Sequence, residues 1–240
     1  MTKPLIVVTG ASSGIGAAVA KSFSDAGHPL LLLARRLDRL EALNLPNTIC
    51  KQVDMTNRSQ ILEAVEEAEQ QYGPVDGFVN NAGCMLLGEV ATQNPEEWDQ
   101  MVDVNVKGVL NGIHAVLAGM IERNSGSIIN VSSLAGRKTF PFHAAYCGTK
   151  FAVHAISENL REEVCGHNVR LITIAPGAVE TELLSHTTSE EIKDTYEGWK
   201  KDMDGALRAE DVANAVIYAY QQPQNVNVRE IVLAATKQTG

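Results

Sequence analysis

Basic clusters, paired cysteines and long apolar runs are all scarce in this chain, and each scarcity excludes a class of function. Lys and Arg number 20 against 29 Asp and Glu, for a formal charge of -9 and a pI near 5.2. Phosphate backbones and anionic membrane surfaces need clustered cations, so neither nucleic acid nor a membrane is expected as a partner. The four cysteines, Cys50, Cys84, Cys147 and Cys165, form no CxxC pair and no metal-ligand spacing. They are expected to be reduced thiols in a cytoplasmic protein, without disulfide framework or metal site. Near the start, the apolar run Leu5–Thr9 gives way at once to glycine and serine, too short for a signal-peptide core or a membrane span. Linkers, repeats and low-complexity segments are also missing, and the reading is one domain over residues 1–240.

What is present is alternation. Short runs rich in leucine and β-branched residues, at 5–9, 29–34, 48–53, 77–80, 127–131, 169–175 and 230–235, read as strands. Helical patterns over 15–26, 59–72, 96–123, 144–165 and 211–221 separate them. Near-continuous apolar strands joined by helices indicate an α/β fold, a parallel sheet covered by helices on both faces. Two helices, 96–123 and 144–165, are apolar on more sides than one sheet can cover. A second copy of the chain is the expected cover, making a homodimer or homotetramer; a thick monomer core is the alternative.

The first strand runs into "TGASSGIG". Gly10 permits a tight turn, Gly14 lets a phosphate approach the backbone, and Gly16 lets the following helix pack close to the strand. The helix start then offers free N–H groups and a positive dipole end to a pyrophosphate. Ser12, Ser13 and Ile15, in the same turn, complete this set of candidate cofactor contacts. Strand two ends in "ARR", where an NAD site would place an acid; Arg35 and Arg36 instead suit the 2′-phosphate of NADP(H). Solvated arginines paired with Asp38 are the alternative. Asp54, after strand three, either shapes the adenine pocket or caps a turn. After strand four, "NNAG" offers amides that can tie neighbouring loops together, Asn81 among them; Ala82 adjoins Gly83, which leaves room for a flat ring.

Strand five ends in "NVSS", and thirteen residues after Ser133 come Tyr146 and Lys150, four apart on one helix face. A phenol titrates near 10, and a neighbouring ammonium favours its phenolate. Lys150, helped by the positive nicotinamide of an oxidised cofactor, is therefore expected to lower the Tyr146 pKa, Tyr146 to exchange a proton with substrate, and Ser133 to donate to the substrate oxygen.

With these motifs in order, together with "VNVKG" and "APGAVET", the chain resembles the short-chain dehydrogenase/reductases along essentially its whole length. The resemblance implies a Rossmann-type sheet of about seven strands and catalytic roles for Ser133, Tyr146 and Lys150, with Lys150 also holding the nicotinamide ribose. Asn105 is implied to help hold a water in a proton relay; an amide bonded to its own helix is the alternative. Pro176 and Gly177 are implied to shape the nicotinamide pocket, Val179 to meet the carboxamide through its backbone, and Thr181 to bond near the carboxamide or pyrophosphate. The pair "ARR" and the tail "VNVREIVLAATKQ" look like the NADP-dependent branch that includes bacterial 3-hydroxy acid (serine-type) dehydrogenases. Cys147, where the family more often has serine or another small residue, is expected to be buried and inert.

Cys84, Met85, Leu86, Phe140, Phe142, His143 and the segment from Leu183 onward are the substrate-facing candidates, and 182–206 has the polar, irregular character of a lid that orders over the substrate. The pocket so composed favours an uncharged carbonyl or secondary alcohol, while His143 or Arg137 offers a place for an acid group. The expectation is an NADP(H)-dependent oxidoreductase interconverting a secondary alcohol and a carbonyl. Its rival is a non-catalytic NADP(H)-binding redox sensor, which need not keep a donor, a phenol and a lysine in register.

Overall fold

The computed structural model describes residues 3–239. Its seven strands are β1 (Leu5–Thr9), β2 (Leu30–Ala34), β3 (Thr48–Gln52), β4 (Val75–Asn80), β5 (Gly126–Val131), β6 (Val169–Pro176) and β7 (Glu230–Leu233). They form one wholly parallel sheet in the order β3-β2-β1-β4-β5-β6-β7. The order reverses beside β1, where β2 leaves on one side and β4 on the other. In open α/β sheets that crevice, at the carboxyl ends of the strands, receives the ligand.

Alternate residues of each central strand feed two apolar cores. Leu5 and Val7 pack with Val65, Ile113 and Val153 on one face, while Ile6 and Val8 pack with Val19, Phe23 and Val216 on the other. The first face is covered by α3 (Arg58–Tyr72), α5 (Gly108–Arg123) and α6 (Ala144–Val164). The second is covered by α1 (Gly14–Asp25), the short α2 (Leu37–Glu41) and, numbered last in chain order, α8 (Ala209–Gln221). Every residue of β1, β2, β5 and β6 is buried, as a sheet sandwiched between helix layers requires.

The long helical pattern over 96–123 is not one regular helix. It divides into α4 (Pro95–Val102), a π-helical turn (Asp103–Lys107) and α5. By composition the run Pro95–Glu122 is apolar enough to cross a membrane, yet here it packs on the sheet and α3. Val102, Leu110 and Phe151 remain exposed on these helices, leaving an apolar surface on the side away from the sheet.

The expected irregular lid is instead largely ordered. A 3-10 turn spans Glu182–His186, and α7 spans Glu190–Asp202. Its ends carry ordinary helix signals. The Ser189 hydroxyl accepts from the Ile192 N–H, Glu190 and Glu191 lie in the first turn, and Lys200 and Lys201 in the last. The many polar residues mark an exposed helix face rather than a loop.

Candidate active site

The loops after β1, β4, β5 and β6 meet along the carboxyl edge of the sheet around a cavity of about 560 Å³. Thr9 joins the first two. Its hydroxyl donates to the Val79 carbonyl at 3.2 Å and accepts from the N–H groups of Asn81 and Ala82 at 2.9 and 3.0 Å. The Asn81 amide returns to the carbonyls of Thr9 and Gly10 at 3.0 and 3.3 Å. This clamp brings the glycine turn so close to the β4 loop that a Cβ at Gly10 would lie 2.8 Å from the Ala82 Cα. Gly10 itself turns at φ +64°, in the left-handed region.

This end of the cavity is lined by Gly10, Ser12, Ser13, Gly14, Ile15, Arg35, Arg36 and Asp54. Asn57, Asn94 and Ser189 cap α3, α4 and α7 with their side chains, but Ser13 does not so cap α1, leaving first-turn N–H groups available to an anion. Arg36 donates to the Ser12 hydroxyl at 3.1 and 3.3 Å and to the Ser13 hydroxyl at 2.9 Å. Its ion-pair partner is Glu182, at 2.9 Å, and not Asp38. Arg39 grips the same carboxylate at 2.7 and 2.9 Å. Glu182 thus ties the root of the lid to the arginines, and they hold its pKa below the usual carboxylate value. Asp54 accepts from the N–H and hydroxyl of Thr56 at 2.9 and 2.8 Å, capping its turn at the cavity edge.

At the other end, Ser133, Tyr146 and Lys150 line the same wall. The first turn of α6 presents Tyr146, and Lys150 follows one turn on, its Nζ 5.7 Å from the phenol ring centroid. That ammonium donates to the Val131 carbonyl at 3.1 Å. Ser133 ends the β5 segment, its hydroxyl accepting from the Ala135 N–H at 3.0 Å. Both titratable groups are buried, and burial controls them. It pushes the Tyr146 phenol well above its ordinary value of 10, with the neighbouring Ser133 hydroxyl pulling weakly the other way. It drops the Lys150 ammonium from 10.5 to about 8. In the protein alone desolvation governs the phenol, whereas the lowering expected from Lys150 together with an oxidised nicotinamide belongs to the cofactor-bound site.

Asn105 lies in the π-helical turn, buried and outside the cavity lining. Its amide neither bonds its own helix nor faces the cavity. It accepts from the Cys84 N–H at 2.9 Å and donates to the Cys84 carbonyl and Thr149 hydroxyl at 2.9 and 3.1 Å. Pro176, Gly177, Val179 and Thr181 line the cavity opposite. Thr181 packs against Gly14, and Gln238, the last residue of the tail "VNVREIVLAATKQ" and not itself singled out as a site residue, lines the cavity and accepts from the Ala178 N–H at 3.0 Å.

The substrate-side wall comprises Cys84, Met85, Phe140, Phe142, His143 and Leu183, with Tyr196 and Trp199 added from α7. Leu86 is buried beside them without lining the cavity. Phe142 sits at φ +66°, strained for a bulky residue, and its carbonyl accepts from the Gly88 N–H at 3.0 Å. That bond fixes the 140s loop to the 84–88 loop. Arg137 pairs with Glu230 away from the lining and is not available to a substrate acid. Cys147 is also outside the lining; burial raises its thiol pKa, so it packs as a thiol. Among the described residues no group of three or more His, Cys, Asp or Glu is placed to hold a metal.

A doubly wound sheet with a glycine-turn anion cradle at one end of a cleft and a buried phenol, hydroxyl and ammonium at the other defines a Rossmann-type oxidoreductase. Comparison gives the family. A model described as short chain dehydrogenase matches residues 4–192, and the chain belongs to that family. It is 40% identical to an uncharacterised oxidoreductase of Staphylococcus saprophyticus, over 98% of this chain and 97% of that one. It is 41% identical to glycine betaine reductase of Emericella nidulans, over 95% of this chain but only 18% of that longer protein. Among solved structures, the closed form of serine dehydrogenase complexed with NADP+ superposes with a TM-score of 0.91 at 33% identity, covering 98% and 96% of the two chains.

Proposed function

We propose that this protein is an NADPH-dependent carbonyl reductase, interconverting a carbonyl compound and its alcohol. The carrying observation is the convergence of Ser133, Tyr146 and Lys150 on one cavity whose other end holds the glycine turn and Arg36. The cradle fits the dinucleotide: uncapped N–H groups of α1 meet the pyrophosphate, and Arg36 with the Ser12 and Ser13 hydroxyls meets the 2′-phosphate, with Arg35 beside them. When bound, NADPH supplies the hydride.

The chain's own groups manage the oxygen. The Ser133 hydroxyl donates to the carbonyl oxygen and stabilises the charge that develops there. The Tyr146 phenol delivers its proton to that oxygen, and the reverse transfer serves alcohol oxidation. Its raised pKa keeps it protonated in the protein alone. Lys150 bonds the ribose and supplies positive charge beside the phenolate that forms. Asn105 positions the Cys84 loop through its amide, whose bonds to Cys84 and Thr149 engage both of its N–H donors. Pro176, Gly177, Val179 and Thr181 border the nicotinamide.

The E. nidulans relative is named for reducing glycine betaine, a trimethylammonium compound, so a small cationic aldehyde belongs in the substrate panel beside uncharged aldehydes, ketones and 3-oxo acids. The exposed apolar residues Val102, Leu110 and Phe151 favour a second copy of the chain as their cover. NADPH oxidation followed over that panel tests the reading. Turnover in the wild type and none in Tyr146→Phe supports it; NADPH binding with no reduction of any carbonyl would instead favour a sensor.

A further inference from the structure

The substrate side of the cavity contains an arrangement that proton and hydride transfer do not require, a closed circuit of four rings. Phe140 and His143 come from the loop before α6, and Tyr196 and Trp199 from adjacent turns of α7. Successive centroids are 5.6 Å apart for Phe140–His143, 6.2 Å for His143–Tyr196, 5.3 Å for Tyr196–Trp199 and 6.4 Å for Trp199–Phe140. All four line the cavity, and His143 is 6.2 Å from the Tyr146 ring, so the circuit adjoins the reacting phenol. Each ring is thus within 6.4 Å of the next, so a group seated against one of them comes near the roughly 6 Å range over which its neighbours' faces attract a cation.

The charges around it suit the same guest. Lys200, the lining cation on this side besides Lys150, is bound to both Glu180 and Glu197, at 2.8 and 2.9 Å, and the three sum to one negative charge. The His143 Nδ1 lies 2.6 Å from the Pro141 carbonyl, and burial lowers the ring's pKa, which keeps it uncharged at neutral pH. Phe140 already takes an ammonium: Lys138, outside the lining, places its Nζ 4.9 Å from that ring's centroid.

Resting on the reductase reading above, we propose that the Phe140–His143–Tyr196–Trp199 circuit is a subsite for a quaternary ammonium group, and that the substrate is a small trimethylammonium aldehyde or the corresponding alcohol. Such a group needs no hydrogen-bond acceptor, and ring faces serve it where a primary amine would lack partners.

Betaine aldehyde and 3,3-dimethylbutanal share a shape and differ in one atom, the quaternary nitrogen against carbon. With NADPH, kcat/KM should favour the charged aldehyde by about tenfold or more. Trp199→Leu and Phe140→Leu should each bring that ratio toward one, with NADPH binding measured as the check on folding. Binding is read separately by titrating choline and 3,3-dimethylbutan-1-ol against Trp199 fluorescence, using Trp199→Leu as the blank. Equal or better use of the neutral aldehyde overturns the subsite while leaving the reductase reading intact. If neither aldehyde is reduced, tighter binding of choline than of its neutral isostere upholds the subsite and counts against the reductase reading. No preference in binding then overturns the subsite as well.

Discussion

Replacing Lys150 by methionine preserves most of the side chain's length and removes its charge, which separates what the lysine does to the fold from what it does in the site. The ammonium is 7% exposed and has no carboxylate partner among the ion pairs of the described residues. Its pKa falls from 10.5 to about 8 because folding removes its water. At about 1.4 kcal/mol per pH unit, that displacement corresponds to about 3 kcal/mol of lost stability at neutral pH. The methionine also forfeits the bond to the Val131 carbonyl, worth about 1 kcal/mol. Lys150→Met should therefore be more stable than the wild type by about 2 kcal/mol at pH 7, or about 4–8 °C in Tm for a chain of this size.

The sign of the pH dependence is fixed by the direction of the shift. Below about pH 8 both the folded and unfolded chains carry the ammonium, and the full penalty applies. Between about 8 and 10.5 the unfolded chain binds the proton that the folded chain has released, so wild-type stability rises with pH relative to the variant. Above 10.5 the lysine is neutral in both, and the variant's advantage vanishes. Thermal unfolding followed by circular dichroism at pH 7, 9 and 10.5 measures this, and NADPH oxidation at pH 7 should show the activity gone. A variant less stable than wild type at pH 7, or an advantage equal at pH 7 and 10.5, refutes the reasoning.

Tyr146→Phe should lower kcat by about 10²–10⁴ while NADPH binding, measured by fluorescence titration, stays near the wild-type value, because only the proton donor is removed. Arg35→Asp with Arg36→Ile should move preference from NADPH to NADH; an unchanged ratio of kcat/KM values would place the 2′-phosphate elsewhere. Glu182 occupies Arg36 and Arg39 as a carboxylate. Glu182→Gln should accordingly tighten NADPH binding severalfold and leave NADH binding unchanged, whereas weaker NADPH binding would show that Glu182 holds the arginines in place for the phosphate.

Which features could be read from the sequence depends on how far apart the interacting residues lie in it. The sheet was legible because burial on both faces makes a strand such as "LLLLA" apolar at every position, and the glycine turn because its chemistry is local. Tyr146 and Lys150 were legible as a pair because one helical turn relates them. Their titration was not, since the sign depends on burial against attraction, and burial is supplied by elements remote in sequence. The same distance hid the anion that Arg36 pairs with. Asp38 is two residues away and was the natural guess, but the partner is Glu182, 146 residues on. Asn105 finds its partners 21 and 44 residues away, so its fully engaged amide could not be seen from "VNVKG". The lid helix is a different failure. Ser189, the two acids after it, the lysines at its end and the i, i+4, i+7 spacing of Ile192, Tyr196 and Trp199 are local signals, but they were outweighed by the segment's polarity. The aromatic circuit combines both difficulties: two of its rings ride on that unrecognised helix, and Phe140 and Trp199 meet across 58 intervening residues. The groups proposed to react therefore follow from short-range spacing, while the proposed substrate subsite rests on contacts that only the folded chain assembles.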